Sequence, residues 1–323
     1  MQNRDTASAA RSCLFLLAVG AIISLIICAV VALGLIDVLP EGDAPPPDQR
    51  GTVTTTTPLL LTVLEVGQGA SVVVITPDGR TLVADAGRSQ TRAEEYIIPY
   101  LREHGVERID YLVATNPDQD HIGGMPRILE LMPIGTWVDP VVPTTNQTYA
   151  RSLELVDELG IDVLSARNGG TLDLGPDVTA RVLWPEEPLL MDGSEASHND
   201  NSIVIQITHG DVTFLITGDI EENAEAALIE RDEDETLQSD VLVVPHHGSR
   251  TSSSAEFLDA VSPSVAIIPV GFENQYGHPH DEVVQRLRFR SARIYRTDLD
   301  GAIEVRSDGD QYQITVLGTE DGR

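Results

Sequence analysis

Thr115-Asn116-Pro117-Asp118-Gln119-Asp120-His121-Ile122-Gly123-Gly124 sets two carboxylates and an imidazole within four residues. A mostly apolar run, Ile109 to Ala114, leads into it, and a helix-like stretch from His121 to Met132 follows. A strand end therefore presents Asp118, Asp120 and His121 on one short loop. On regular structure these side chains diverge. A tight loop converges them, and a divalent cation offsets the repulsion between the carboxylates. An acidic turn with a helix N-cap fits the same residues, so the later partners of the loop decide its reading.

Those partners come in order. Asp211 to Thr217 is a strand-like run that ends in Thr217-Gly218-Asp219, and Val241 to Val244 ends in Pro245-His246-His247-Gly248-Ser249. Asn274 to His280 then reads Asn-Gln-Tyr-Gly-His-Pro-His before another helix-like stretch. Five of the eight histidines, His121, His246, His247, His278 and His280, lie in these loops. Strand ends are where α/β folds place their chemistry. Repeated Asp and His there point to a two-metal hydrolase site.

With these loops in view, the chain resembles the metallo-β-lactamase superfamily, and within it the soluble domain of ComEC-type DNA-uptake proteins. The matching pieces are Leu64 to Ala70, Leu82 to Gly87, Asn116 to Gly124, Asn199 to Ser202, Leu215 to Asp219, Val244 to Ser249, Tyr276 to His280 and Tyr295 to Gly301. They are specific for the family and much less so for the substrate. The resemblance implies an α/β fold, an αββα sandwich with the metal loops along one edge. Strand-like runs (60–66, 71–76, 81–85, 109–115, 178–184, 201–208, 211–217, 240–245, 264–270, 293–297, 301–306, 311–317) interleave with helical stretches (92–104, 121–132, 148–159, 221–231, 254–261, 280–290). That alternation suits α/β layers.

The resemblance also implies roles. Asp118, Asp120, His121, Asp219 and His247 are the expected metal ligands, with Asp219 bridging two divalent ions, zinc or manganese. Asp120 is also expected to orient, or take the proton of, the attacking water. His246 is either a partner of the ligands or exchanges roles with His247. One position departs from the pattern: Asn116 stands where the ComEC-type loop begins with histidine. Its carbonyl is a weaker ligand than imidazole, and an oxygen-rich set suits manganese or magnesium better than zinc. A site holding one firm ion, and a degenerate site in a non-catalytic binding module, are the alternatives this opens.

Around the ligands, His278 is expected to contact phosphate or protonate the leaving group. Tyr276, His280, Ser249 and Asn201 are expected to line the substrate. Backbone amides and hydroxyls of the Ser249–Ser254 turn suit a phosphate, or cap a helix. Asp85 either steadies the loops or is a plain turn acid.

Cys13 to Ile36 runs 24 residues without a charge, long enough to span a bilayer. Arg4 and Arg11 precede it, and Asp37, Glu41, Asp43 and Asp48 follow. The positive-inside rule then gives a cytoplasmic N-terminus at 1–12, a transmembrane helix at 13–36, a Pro/Thr-rich linker at 37–58 and an extracytoplasmic hydrolase domain at 59–323. Both cysteines, Cys13 and Cys28, lie in the apolar segment, so the domain has no disulfide and no thiolate ligand.

The formal net charge is −30, and every basic side chain is arginine. Nucleic-acid binders usually carry basic patches, so the acidity implies either screening at high salt or a substrate that is not a polyanion. The reading is a membrane-anchored, outward-facing metal-dependent hydrolase, a phosphodiesterase or nuclease acting on DNA. One spanning segment does not move DNA, so a separate uptake channel is an expected partner. Hydrolysis of a lactone, another small ester or a cell-surface phosphodiester is the alternative enzyme reading.

Overall fold

Alternating apolar positions build two mixed sheets whose inner faces meet. The computed structural model describes residues 57–232 and 237–318. The expected anchor at 13–36, and almost all of the linker, lie outside them. Among the described residues no helix is long and apolar enough to cross a membrane.

In chain order the strands are β1 (Leu59–Val63), β2 (Val72–Ile75), β3 (Thr81–Ala84), β4 (Ile109–Val113), β5 (Ile134–Asp139), β6 (Asp162–Ser165), β7 (Thr171–Asp173), β8 (Val178–Trp184), β9 (Met191–Asp192), β10 (Glu195–Ala196), β11 (Val204–His209), β12 (Val212–Ile216), β13 (Val241–Val243), β14 (Val265–Ile268), β15 (Arg293–Arg296), β16 (Ile303–Ser307) and β17 (Tyr312–Val316). The first sheet runs β17-β16-β1-β2-β3-β4-β5-β6 and the second β15-β14-β13-β12-β11-β8-β7. From β3 to β6, and from β12 to β15, neighbours are parallel; the other pairs within these two sheets are antiparallel.

Period-two burial fills the space between the sheets. Leu59, Leu61 and Val63 of β1 join Val72, Val74, Leu82 and Ala84, and meet Ala180, Val182, Ile205, Ile207, Phe214, Val241 and Ile267 from the other sheet. The outward residues of the first sheet, Val73, Val83, Leu112 and Trp137, are covered by Ile97, Leu101, Ile128, Leu129 and Leu155 of helical segments. On the second sheet Val204, Leu215, Leu242 and Ala266 are covered by Leu228, Phe257, Leu258, Val283 and Leu287. Three apolar layers therefore separate four structural layers, the expected αββα sandwich. Each fully buried Leu, Ile, Val or Phe contributes about 1.5–3 kcal/mol of transfer free energy.

The helix expected over 121–132 is broken into Gln119–Ile122 and Met125–Leu131. Gly123 and Gly124 sit between them, pressed onto the turn after β3. A Cβ on Gly123 would lie 2.1 Å from the Arg88 backbone, and one on Gly124 would lie 2.4 Å from the Ala86 carbonyl. This close approach brings the Asp118–His121 loop against Asp85. Parallel strands β3, β4, β12, β13 and β14 all send their C-terminal loops to this same edge.

Candidate metal centre

Asp85 leaves β3 with φ +63, and its buried carboxylate organises the loop after β4. It accepts hydrogen bonds from the Thr115 amide (2.8 Å), the Thr115 hydroxyl (2.6 Å) and His121 Nδ1 (2.7 Å). A proton on Nδ1 leaves the lone pair of His121 on Nε2. That Nε2 stands 2.9 Å from Asp219 Oδ2, but off the hydrogen-bonding direction, so the buried nitrogen has no hydrogen bond.

His247 repeats the arrangement from the other sheet. The turn after β13 carries left-handed φ at His246 (50°) and His247 (54°), a conformation costing roughly 1–2 kcal/mol per residue. It aims the imidazole inward. Nδ1 donates to the Pro269 carbonyl at 2.7 Å. Nε2 is buried without a hydrogen bond and lies 3.6 Å from both Asp120 Oδ2 and Asp219 Oδ2.

Two orphaned imidazole nitrogens and two carboxylates thus converge. Ligand atoms of Asp120, His121 and His247 lie within 4.8 Å of one another, and Asp219 closes the group through His121 and His247. Unpartnered buried Nε2 atoms are costly unless something coordinates them. Mixed nitrogen and oxygen donors of this kind fit a divalent zinc- or manganese-type ion. The electrostatics agree. Burial pushes the Asp219 carboxyl up, but His121 and His247 beside it hold it well below the usual range. Burial opposes charge on His121, yet Asp219 and Asp85 raise it well above its ordinary value. The carboxylates of Asp85 and Asp219 thus favour positive charge at this spot, whether a proton on His121 or a metal ion.

An open cleft of about 150 Å³ leads to the group, lined by Gln68, Asp118, Asp120, Asn199, Asp219, His246, His247, Tyr276 and His278. His246 turns Nδ1 to Glu221 (3.1 Å) and keeps Nε2 3.9 Å from Asp219, so it sits beside the ligands while His247 points among them. The His278 ring faces those of His246 (5.6 Å), Tyr276 (5.7 Å) and His280 (4.9 Å). Its burial and the nearby histidines His246 and His247 lower its pKa to about 4. Tyr276 is exposed at the rim and its hydroxyl takes a 3.3 Å hydrogen bond from Arg88.

Other expected residues stand elsewhere. Asn116 is fully buried; its carbonyl oxygen accepts the Asp118 amide (2.9 Å), and its Nδ2 donates to Ser202 Oγ (3.2 Å). Its oxygen is therefore committed to the turn and does not join the ligand group. Asn201 is a buried staple bonded to both the amide and the carbonyl of Leu190. Ser249 is buried with its hydroxyl on Thr251 Oγ1 (2.9 Å), and His280 Nδ1 accepts the Arg250 amide (3.0 Å). These three do not line the cleft. Nor is the Ser249–Ser254 turn an open phosphate cradle, because the buried Glu225 carboxylate already takes the Ser253 and Ser254 amides.

One residue was not anticipated. His198 Nδ1 donates to Asp118 Oδ1 at 2.8 Å, and its Nε2 lies 3.1 Å from the Pro143 carbonyl. Its place one residue before Asn199-Asp200-Asn201-Ser202 was the only signal in the sequence.

The profile described as "Metallo-beta-lactamase superfamily" matches residues 64–271. The chain belongs to the metallo-β-lactamase superfamily. Within that superfamily it is 31% identical over 259 residues to ComE operon protein 3 of Bacillus subtilis, covering 76% of this chain and 32% of that protein. It is 34% identical over 245 residues to Competence protein ComA of Neisseria gonorrhoeae (76% and 32%). With Recombination protein 2 of Haemophilus influenzae it shares 30% over 262 residues (80% and 30%). The match to ComEC-type proteins read from the motifs is thereby shown, and the chain spans about a third of the length of these relatives. Among solved structures, the CmlA beta-hydroxylase E377D mutant superposes with TM-score 0.52 at 18% identity, over 81% of this chain and 55% of that one. That likeness is one of fold.

Proposed function

We propose that this metallo-β-lactamase-fold hydrolase cleaves phosphodiesters, with a DNA strand as substrate. The observation that carries the reading is the convergence of the orphaned His121 and His247 Nε2 atoms on Asp120 and Asp219 at the floor of an open cleft. Relatives named for competence and recombination support nucleic acid over other esters. Asp120, His121, Asp219 and His247 would hold a divalent ion, manganese or zinc, which would supply Lewis acidity to a water and a phosphoryl oxygen.

The chain's own groups supply the rest. Asp120, which lines the cleft, accepts the proton of the attacking water. His278 is neutral near pH 7 and donates a hydrogen bond to a non-bridging or leaving oxygen, since a group with pKa about 4 carries no proton to transfer there. Arg88 and Tyr276 form a cationic and aromatic rim beside that ring, a pairing that suits phosphate and a stacked base. The segment 13–36 anchors the domain on the outer face of the membrane, where a separate channel receives the processed strand.

The net charge of −30 favours a second reading, a small lactone or ester as substrate. The discriminating experiment offers the manganese-loaded full chain a single-stranded oligonucleotide, a cell-wall-type polyol phosphodiester and an acyl lactone, at low and high salt. Cleavage of the oligonucleotide at either salt supports the proposal. Turnover of the lactone alone replaces it, and no turnover of any ester favours a binding module.

A further inference from the structure

We infer that the Gln68 carboxamide is a substrate-binding group, its Nε2 donating a hydrogen bond to a non-bridging oxygen of the phosphodiester. The inference rests on the phosphodiesterase reading above and adds a residue to it.

The stretch Leu64 to Ala70 carries none of the metal ligands, yet its turn is pinned to them. A Cβ on Gly69 would lie 2.2 Å from the Asp120 carbonyl oxygen, and the Ala70 amide donates to that same oxygen at 3.3 Å. On the other side, a Cβ on Gly271 would lie 2.4 Å from the Gln68 backbone nitrogen. Gln68 therefore stands between the loop of Asp120 and His121 and the loop that leads to Tyr276 and His278.

The side chain is fixed as well. Its Oε1 accepts the Gly271 amide at 3.3 Å. That amide is a donor, so the carboxamide oxygen and not its nitrogen belongs on this side. Nε2 is left buried with no partner, and Gln68 is one of the residues lining the cleft. A buried donor without an acceptor is costly. Such a group marks either a catalytic role or an ordered water.

The rest of the lining favours the first. Two other lining residues, His247 and His278, keep a buried nitrogen without a partner, and both belong to the reacting centre. The second carboxamide there, Asn199, donates to Glu221 Oε1 at 3.4 Å. Gln68 is thus the carboxamide of the lining whose N–H groups are uncommitted. The carboxylates of Asp118, Asp120 and Asp219 line the same cleft. A phosphodiester anion entering among them needs hydrogen-bond donors. A lysine or arginine would pair with those carboxylates instead. A neutral carboxamide leaves them to the ion and keeps its donors at every pH. Fixed in advance and shielded from water, it acts on the charge that builds on a phosphoryl oxygen in the transition state.

Two variants test this. Gln68→Met removes the N–H donors at similar size, and Gln68→Glu keeps an oxygen for the Gly271 amide. Circular dichroism and atomic emission first establish the fold and the retained manganese of each full-length chain. On a single-stranded oligonucleotide, kcat and kcat/KM are expected to fall together by about 100-fold in Gln68→Met, and at least as far in Gln68→Glu. A second readout uses the two phosphorothioate diastereomers of one linkage, in which sulfur, a weak acceptor, replaces either non-bridging oxygen. The wild-type chain is expected to prefer one diastereomer, and Gln68→Met to narrow that preference by up to about tenfold, the worth of one hydrogen bond. A role confined to holding the loop would slow both diastereomers alike. Wild-type rates in the folded, metal-loaded variants, or an unchanged diastereomer preference, overturn the inference and leave the phosphodiesterase reading standing. Loss of the ion from both variants makes Gln68 a support of the Asp120 loop and overturns the inference too. A wild-type chain that holds its ion and cleaves no phosphodiester overturns both.

Discussion

Asp85 Oδ2 and His121 Nδ1 stand 2.7 Å apart, both buried, and this contact decides which nitrogen of His121 faces the centre. Without it the ring is free to turn or to adopt the other tautomer. Outer carboxylates on ligating histidines typically govern metal affinity by roughly 10–100-fold. Asp85→Ala is therefore expected to weaken manganese binding by about that factor, measured by calorimetric titration of the metal-free chain. Unchanged affinity would make Asp85 a turn residue only.

Glu225 holds the Ser249–Ser254 turn. Its carboxylate is fully buried and receives the Ser253 and Ser254 amides, Ser253 having φ +55. Glu225→Ala leaves one buried and one part-buried N–H group unpaired, a loss of about 2–4 kcal/mol. Urea denaturation of the two proteins checks it. Glu225→Gln, which keeps one acceptor oxygen, is expected to lose less.

Gly123 is required by proximity. A methyl group there meets the Arg88 carbonyl carbon and oxygen at 2.1 Å, and backbone does not yield as a flexible side chain does. Gly123→Ala is expected to destabilise the domain by about 1–3 kcal/mol. It should also weaken metal binding, because Asp120 and His121 ride on the same short helix. Thermal melts with and without manganese separate the two effects.

His278 gives the pH dependence. Burial, and then His246 and His247, lower its pKa from 6.5 to about 4 in the fold. Between those values the unfolded chain binds the proton and the folded chain does not. Stability therefore falls as pH drops from about 6.5 towards 4, and this contribution is fully present above 6.5. In the metal-free protein, His278→Asn is expected to flatten the slope of unfolding free energy against pH in that window. An NMR titration of His278 Hε1 with a midpoint near 6.5 would contradict the assignment.

Much of the candidate site was readable from the chain because Asp and His are common ligands of divalent ions and α/β folds set functional residues at strand ends. The loops at Asp118–His121, Asp219 and His247 carry both signals. What stayed hidden depended on distant partners. His198 gains meaning from Asp118, 80 positions away. The Ser249–Ser254 turn resembles an anion cradle until Glu225 is seen filling it. Strand β6 went unread because all four of its residues are exposed on a sheet edge, where no apolar alternation is needed. Strand β5 begins one residue after Pro133 and includes Gly135, which masks its buried end at Trp137 and Val138.

The most direct test of the central claim is the rate of cleavage of a single-stranded oligonucleotide by the full-length chain with manganese, beside Asp120→Ala and His247→Ala. The account predicts metal-dependent cleavage, abolished by chelator and lowered at least about 100-fold in each variant, the scale of losing a group that stabilises the transition state. Cleavage that persists in both folded variants, or that is absent from a wild-type chain shown to hold its ion, would contradict it.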